Sequence, residues 1–137
     1  MAQALRQIPT ADETDVVVLR VPAESAYLSV LRTATAGLAA RLHFTLDEIE
    51  DLRIAVDEAC AMLVADASGD GDLECEFSVT EASLSVAVSV PAEGAPRLPS
   101  VHTFAWKVLS TLAGEVRAEH SNGRATIWLN KRRANQP

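Results

Sequence analysis

Residues 45–67, TLDEIEDLRIAVDEACAMLVADA, decide the fold of this chain. Thr45 and Glu48 fit a capping box, in which each side chain accepts a hydrogen bond from the backbone amide of the other. Apolar side chains then recur at three- and four-residue spacings, at Ile49, Leu52, Val56, Ala59 with Cys60, and Leu63. The stretch therefore predicts one long amphipathic helix whose centre carries two acidic residues, Asp57 and Glu58.

A shorter amphipathic helix is predicted on the N-terminal side. Asp15 to Val21 is rich in β-branched residues and predicts a strand, which Pro22 ends. From Ser25 onward an apolar stripe follows helical spacing, at Leu28, Leu31, Thr35, Leu38 and Leu42. Arg32 lies off this stripe, so we expect its side chain to be free to reach outward.

The C-terminal side predicts a hairpin, a loop and a further helix. Residues 68–71 contain two glycines and end the long helix, and residues 73–79 and 84–90 alternate between apolar and polar side chains as hairpin strands do. Residues 91–101 contain three prolines and predict a loop. The helix that follows, 104–113, is predicted to turn Phe104, Val108, Leu109 and Leu112 inward.

A second hairpin closes the pattern. Residues 115–120 and 125–130 flank Asn122-Gly123, which is a strong signal for a two-residue turn. The order β, α, α, β, β, α, β, β predicts an α+β fold: a two-layer α/β sandwich with a mixed, mostly antiparallel sheet and the helices on one face. We expect residues 1–13 to form a flexible arm, 14–130 to form the domain, and 131–137 to form a tail in which Lys131, Arg132 and Arg133 are solvated.

Composition excludes several classes of function. The net charge of −7 argues against direct nucleic-acid binding, which needs a basic surface. No apolar run is long enough for a membrane span, and the N-terminus lacks the features of a signal peptide. Cys60 and Cys75 lack C-x-x-C spacing and are expected to be buried thiols, so we predict a cytoplasmic protein.

The sequence contains none of the common catalytic or nucleotide-binding motifs that are recognised by residue spacing. His43, His102 and His120 show no metal-ligand spacing, and there is no P-loop, G-x-S-x-G or G-x-G-x-x-G. Asp57 and Glu58 diverge by about 100° on a helix and cannot form a catalytic dyad. The residues themselves therefore leave Glu58 as a solvated helix charge or a lone functional carboxylate.

The segment DLRIAVDEACAMLVADA resembles the second helix of the anti-sigma-factor serine kinases, a branch of the GHKL superfamily of histidine-kinase-like ATPases. The element order and VLRTATAGL in the preceding helix extend the resemblance over about residues 14–130. It implies a Bergerat-type ATPase fold. It also implies a bacterial partner-switching protein that binds a sigma factor and is released by a small antagonist (anti-anti-sigma) protein.

The resemblance assigns roles to individual residues. Glu58 matches the carboxylate that acts as general base in active kinases. The Mg²⁺ ligand of the family falls on Met62. The adenine acceptor falls on Ala92, with the first glycine of that motif at Gly94, and the phosphate-binding glycines fall on Thr103 and Ala105. The segment 96–102, where active relatives carry a lid over ATP, is short.

These departures weaken the nucleotide site, because a thioether suits Mg²⁺ poorly and alanine offers no acceptor to adenine. We therefore expect no cofactor, with ATP and Mg²⁺ used only if the kinase is active, and no resident metal. The resemblance implies that Arg32 contacts the sigma factor and that the protein is a homodimer. Three alternatives stay open: an anti-sigma factor without efficient kinase activity, an ATP-dependent serine kinase acting on the antagonist, and a GHKL-like scaffold for another partner.

Overall fold

Five strands and three α-helices make up the part of the chain that the computed structural model describes, residues 14–67, 71–93 and 103–134. They follow the predicted order. Their bounds are β1 Asp15–Pro22, a 3₁₀ turn Ser25–Tyr27, α1 Leu28–Arg41, α2 Leu46–Asp66, β2 Asp72–Val79, β3 Ser83–Pro91, α3 Phe104–Ala113, β4 Glu115–Ser121 and β5 Arg124–Arg132.

The strands form one sheet in the order β1-β2-β3-β5-β4, and all of these neighbours pair antiparallel. β5 follows β4 in sequence but lies between β3 and β4. α2 packs against both α1 and α3, and α2 and α3 also contact strands on the inner face of the sheet. The predicted two-layer α+β sandwich is confirmed, but the described strands form a wholly antiparallel sheet rather than the mixed one that was expected.

The core lies between the helices and the inner sheet face. α2 supplies its central row, in which every side chain is at most 1% exposed: Leu52, Ala55, Val56, Ala59, Cys60 and Leu63. Facing them are alternate residues of the strands, among them Phe77, Val86, Val88, Ile127 and Leu129. Each large apolar side chain buried in this way contributes roughly 1.5–3 kcal/mol relative to exposure.

The predicted capping box begins α2. The Thr45 amide donates to Glu48 Oε1 at 2.7 Å, and the Glu48 amide donates to Thr45 Oγ1 at 3.1 Å. The Ala134 amide also donates to Glu48 Oε2, at 2.8 Å. Burial acts to raise the pKa of the Glu48 carboxyl, but the hydrogen bonds outweigh it and hold the pKa below its usual value. Glu48 therefore joins the start of α2 to the C-terminal segment.

Two expectations about the C-terminal part are wrong. Phe104 is 83% exposed, because burial in α3 centres on Leu109 and Ala113 and the first turn extends beyond that contact. The basic cluster is not a solvated tail: Lys131 lies in β5 and donates to the Leu112 carbonyl at 2.9 Å, and Arg133 donates to the Leu42 carbonyl at 3.2 Å. These cations satisfy carbonyl groups at or just after helix C-termini, a favourable position for positive charge.

Candidate partner-binding and nucleotide site

Glu58 lies on the exposed face of α2, near the middle of the helix. The residues that the structure describes give its carboxylate no hydrogen bond and no ion pair. The preceding residue, Asp57, faces α1 instead, where Arg32 Nη2 donates to its Oδ1 at 2.9 Å. The two acids thus point to different surroundings, as their adjacent positions on a helix require.

Met62 follows Glu58 by about one turn and is half-buried against the core. Its thioether serves packing there, and a soft sulfur atom is a poor ligand for a hard cation such as Mg²⁺. Among the described residues no group of three or more His, Cys, Asp or Glu side chains is arranged to hold a metal ion.

Ala92 is 1% exposed and lies directly after β3. Its amide donates to the Gly123 carbonyl at 2.9 Å, and its carbonyl lies 3.1 Å from His120 Nε2, within hydrogen-bond distance. The backbone at this position is therefore tied to the β4–β5 hairpin, and the methyl side chain is enclosed. An adenine amino group finds no side-chain acceptor at Ala92.

Thr103 and Ala105 flank the start of α3. Thr103 is its N-cap and accepts from the Trp106 amide at 3.2 Å, so its hydroxyl serves the helix itself. Ala105 is half-buried in the first turn. Gly94 and the short segment 96–102 lie outside the described residues.

Arg32 is not free to reach outward, contrary to the prediction from sequence. Its ion pair with Asp57 crosses from α1 to α2, and the two side chains are 40% and 42% exposed. The pair was not foreseen because it depends on how the two helices cross, which periodicity within each helix does not reveal. Arg32 nevertheless remains partly exposed at the surface.

Arg53 lies near Arg32 and was not among the residues predicted to be functional. Arg53 and Arg32 line one surface cavity together with Ser29, Thr33 and Ala36. A signal was available in the sequence, because Arg53 precedes Asp57 by one helical turn and so shares its face of α2. Other cavities whose lining the structure describes lie elsewhere, one beside Trp106 and Trp128 and one beside Leu38 and Arg41.

The cysteines offer no nucleophile to this site. Cys60 and Cys75 are fully buried, as expected from the sequence. Burial raises the pKa of the Cys60 thiol to about 12, with the Asp57 carboxylate adding to the effect. Burial also raises the pKa of Cys75 well above its usual range. Both thiols stay protonated near neutral pH and are inert as nucleophiles.

No helix among the described residues is long and apolar enough to cross a membrane.

Residues 21–131 match the family model of the histidine kinase-like ATPase domain. The chain is 32% identical over 138 residues to the serine-protein kinase RsbW of Bacillus velezensis, covering 85% of each protein. It is 31% identical over 141 residues to the serine-protein kinase RsbW of Bacillus subtilis, covering 88% of this chain and 87% of that one.

A solved structure shares the architecture. The crystal structure of the RsbU and RsbW domains of Rv1364c from Mycobacterium tuberculosis superposes with a TM-score of 0.71 at 15% sequence identity. The match covers 89% of this chain and 33% of that longer one. At this identity the likeness concerns the fold alone.

Proposed function

The chain belongs to the family of histidine kinase-like ATPase domains, and on that premise we propose that it is a cytoplasmic bacterial anti-sigma factor. It binds a sigma factor, keeps it from RNA polymerase and so represses transcription. It does this without efficient kinase activity, and an antagonist protein competes for the same surface.

The observation that supports the lack of kinase activity is that Ala92 is buried in the protein's own core. This residue stands where the resemblance places the adenine acceptor, yet it is enclosed and its backbone groups are engaged by Gly123 and His120. Met62, at the position of the metal ligand, packs against the core. Neither side chain suits the nucleotide or its cation, so ATP and Mg²⁺ do not fit the residues present at these two positions.

Nucleotide binding tests the absence of kinase activity. Titration calorimetry with Mg-ATP should give a dissociation constant weaker than about 1 mM, which corresponds to a binding free energy smaller than ~4 kcal/mol. The serine-protein kinase RsbW of Bacillus subtilis serves as the positive control. Micromolar affinity for this chain would contradict the argument from Ala92 and Met62.

Complex formation tests sequestration. Each sigma factor of the source bacterium is purified and titrated against the protein, and one of them should bind and lose its ability to direct transcription by RNA polymerase in vitro. Arg32→Glu should weaken that complex at least about tenfold, as truncation or reversal of a central arginine commonly does.

The matched control is Arg20→Glu, because Arg20 pairs with Glu74 at 2.9 Å on the sheet, just as Arg32 pairs with Asp57. Both substitutions place two acids side by side, one pair on the sheet and the other on the helices. If no sigma factor bound the unsubstituted protein, the proposed function would be wrong. Equal effects of the two reversals would remove Arg32 from the binding surface.

A serine kinase that phosphorylates the antagonist is the second candidate. The exposed carboxylate of Glu58, without a partner among the described residues, favours it, as does the name of the relatives. Phosphate transfer from radiolabelled ATP to the antagonist, lost in Glu58→Ala, would establish this activity. Because Glu58 is exposed, its removal should leave the fold intact, which circular dichroism can verify.

We propose a homodimer from the family resemblance. Light scattering on the purified chain should give twice the monomer mass of 14.6 kDa. A monomer mass at all concentrations would contradict it.

A further inference from the structure

A cavity of about 390 Å³ opens on the surface where α1 meets α2. Ser29, Arg32, Thr33 and Ala36 line it from α1, at the three- and four-residue spacings that place them on one helix face. Arg53 lines it from α2. Two guanidinium groups and two hydroxyls, which can all donate hydrogen bonds, thus surround one opening.

Each arginine forms a weak ion pair with an acidic side chain of the protein itself. Arg32 donates from a single nitrogen to Asp57 at 2.9 Å, and Arg53 approaches Glu50 at 3.6 Å. These side chains are between 38% and 55% exposed. Exposed, single-contact ion pairs of this kind contribute little stability and exchange easily.

The hydrogen-bonding capacity of both arginines is poorly used. The Nε atoms of Arg32 and Arg53 are buried and have no hydrogen-bond partner in the part of the chain that the structure describes. A guanidinium group binds a carboxylate best with two parallel N–H groups. A rotation of Arg32 that leaves Asp57 and exposes Nε would let Nε and Nη2 both donate to an incoming carboxylate, which is one hydrogen bond more than Asp57 accepts.

We propose that the sigma-factor carboxylate that contacts Arg32 also contacts Arg53 in this cavity, and that Asp57 competes with this carboxylate for Arg32. The inference rests on the proposed function and adds two points to it. Arg53 is a second contact for the incoming carboxylate, and the Arg32–Asp57 ion pair must open before the partner binds.

Charge favours a carboxylate as the occupant. The chain carries a net charge of −7, so most of its surface disfavours an acidic side chain, whereas this cavity presents two cations. In the free protein, Glu50 and Asp57 neutralise them locally. An incoming carboxylate therefore binds by replacing Asp57 or Glu50 at an arginine, and the cavity has no large positive potential before that replacement.

The test measures the affinity of the sigma factor for four variants of the full chain by calorimetry. Asp57→Asn frees Arg32 and should tighten binding by about two- to fivefold, the range expected from losing a competing surface ion pair. Arg53→Gln should weaken binding by roughly tenfold. The controls are Glu74→Gln and Arg20→Gln, which neutralise the two members of the matched pair on the sheet and should leave the affinity unchanged.

A double variant shows whether Asp57 acts through Arg32. In the background Arg32→Gln, the further change Asp57→Asn should not alter the affinity for the sigma factor, because Asp57 no longer has an arginine to pair with. A gain that persists there, or equal affinities for Asp57→Asn and Glu74→Gln, would overturn the inference while leaving sigma binding intact. Failure of the unsubstituted protein to bind any sigma factor would overturn the proposed function, and this inference with it.

Discussion

Glu48 holds the first turn of α2 and the C-terminal segment together, so its replacement should cost a defined amount of stability. In Glu48→Gln one accepting oxygen becomes an NH₂ group, which cannot accept from the Thr45 amide, now at 2.7 Å, or the Ala134 amide, now at 2.8 Å. One hydrogen bond is lost and the other no longer involves a charge. Because both are near solvent, we expect the free energy of unfolding to fall by about 1–2 kcal/mol.

Urea unfolding followed by circular dichroism at pH 7 measures this loss, which should also lower Tm by roughly 4–10 °C. Glu50→Gln is the control on the same helix, since Glu50 has only a 3.6 Å contact with Arg53, and should change stability by less than about 0.5 kcal/mol. Equal effects of the two substitutions would refute the role given to Glu48.

The pH dependence gives an independent check. The pKa of Glu48 in the folded protein lies below its ordinary value of 4.5, so the ionised carboxylate stabilises the fold above that pH. This contribution is lost as the pH falls through the folded-state pKa. The difference in stability between the unsubstituted protein and Glu48→Gln should therefore be largest near neutrality and shrink below pH 4.5. A difference that stayed constant from pH 7 to pH 3 would contradict this explanation.

Two further predictions concern small side chains. Gly71→Ala should destabilise the protein by about 1–3 kcal/mol, since the added Cβ would lie 2.4 Å from Pro91 Cγ. Gly37→Ala in α1 meets no atom within 4 Å and should stabilise the protein by up to ~1 kcal/mol. Urea unfolding measures both, and a loss of stability in Gly37→Ala as large as that in Gly71→Ala would contradict the steric explanation. Cys60 and Cys75 should react with a thiol reagent at pH 8 only as the protein unfolds, because burial raises both pKa values; rapid labelling of the folded chain would show that one thiol is accessible.

Sequence periodicity predicted most of the fold because each element carries its own pattern. The capping box at Thr45 and Glu48 placed the start of α2, and alternation of side chains placed the inner and outer faces of the hairpins. Phe104 shows the limit: helical spacing put it on the apolar face, but a residue in the first turn is buried only if a neighbouring element extends that far.

The site was less predictable, because its contacts join distant parts of the chain. The ion pair between Arg32 and Asp57, and the proximity of Arg53 to Arg32, follow from the packing of α1 on α2. The hydrogen bonds between Ala92 and the β4–β5 hairpin likewise involve residues about 30 positions away, such as His120, and no local sequence pattern predicts them.

The place of β5 in the sheet has a consequence for biosynthesis. β1, β2 and β3 can pair in the order in which they leave the ribosome, since each neighbours the next. β4 has no strand beside it until residues 124–132 have emerged, because its sheet neighbour among the described strands is β5. Until then one edge of β3 stays open, and an open edge can pair with another chain. A ribosome stalled between β4 and β5 should therefore display a nascent chain that binds chaperones, and release of those chaperones should coincide with the appearance of β5.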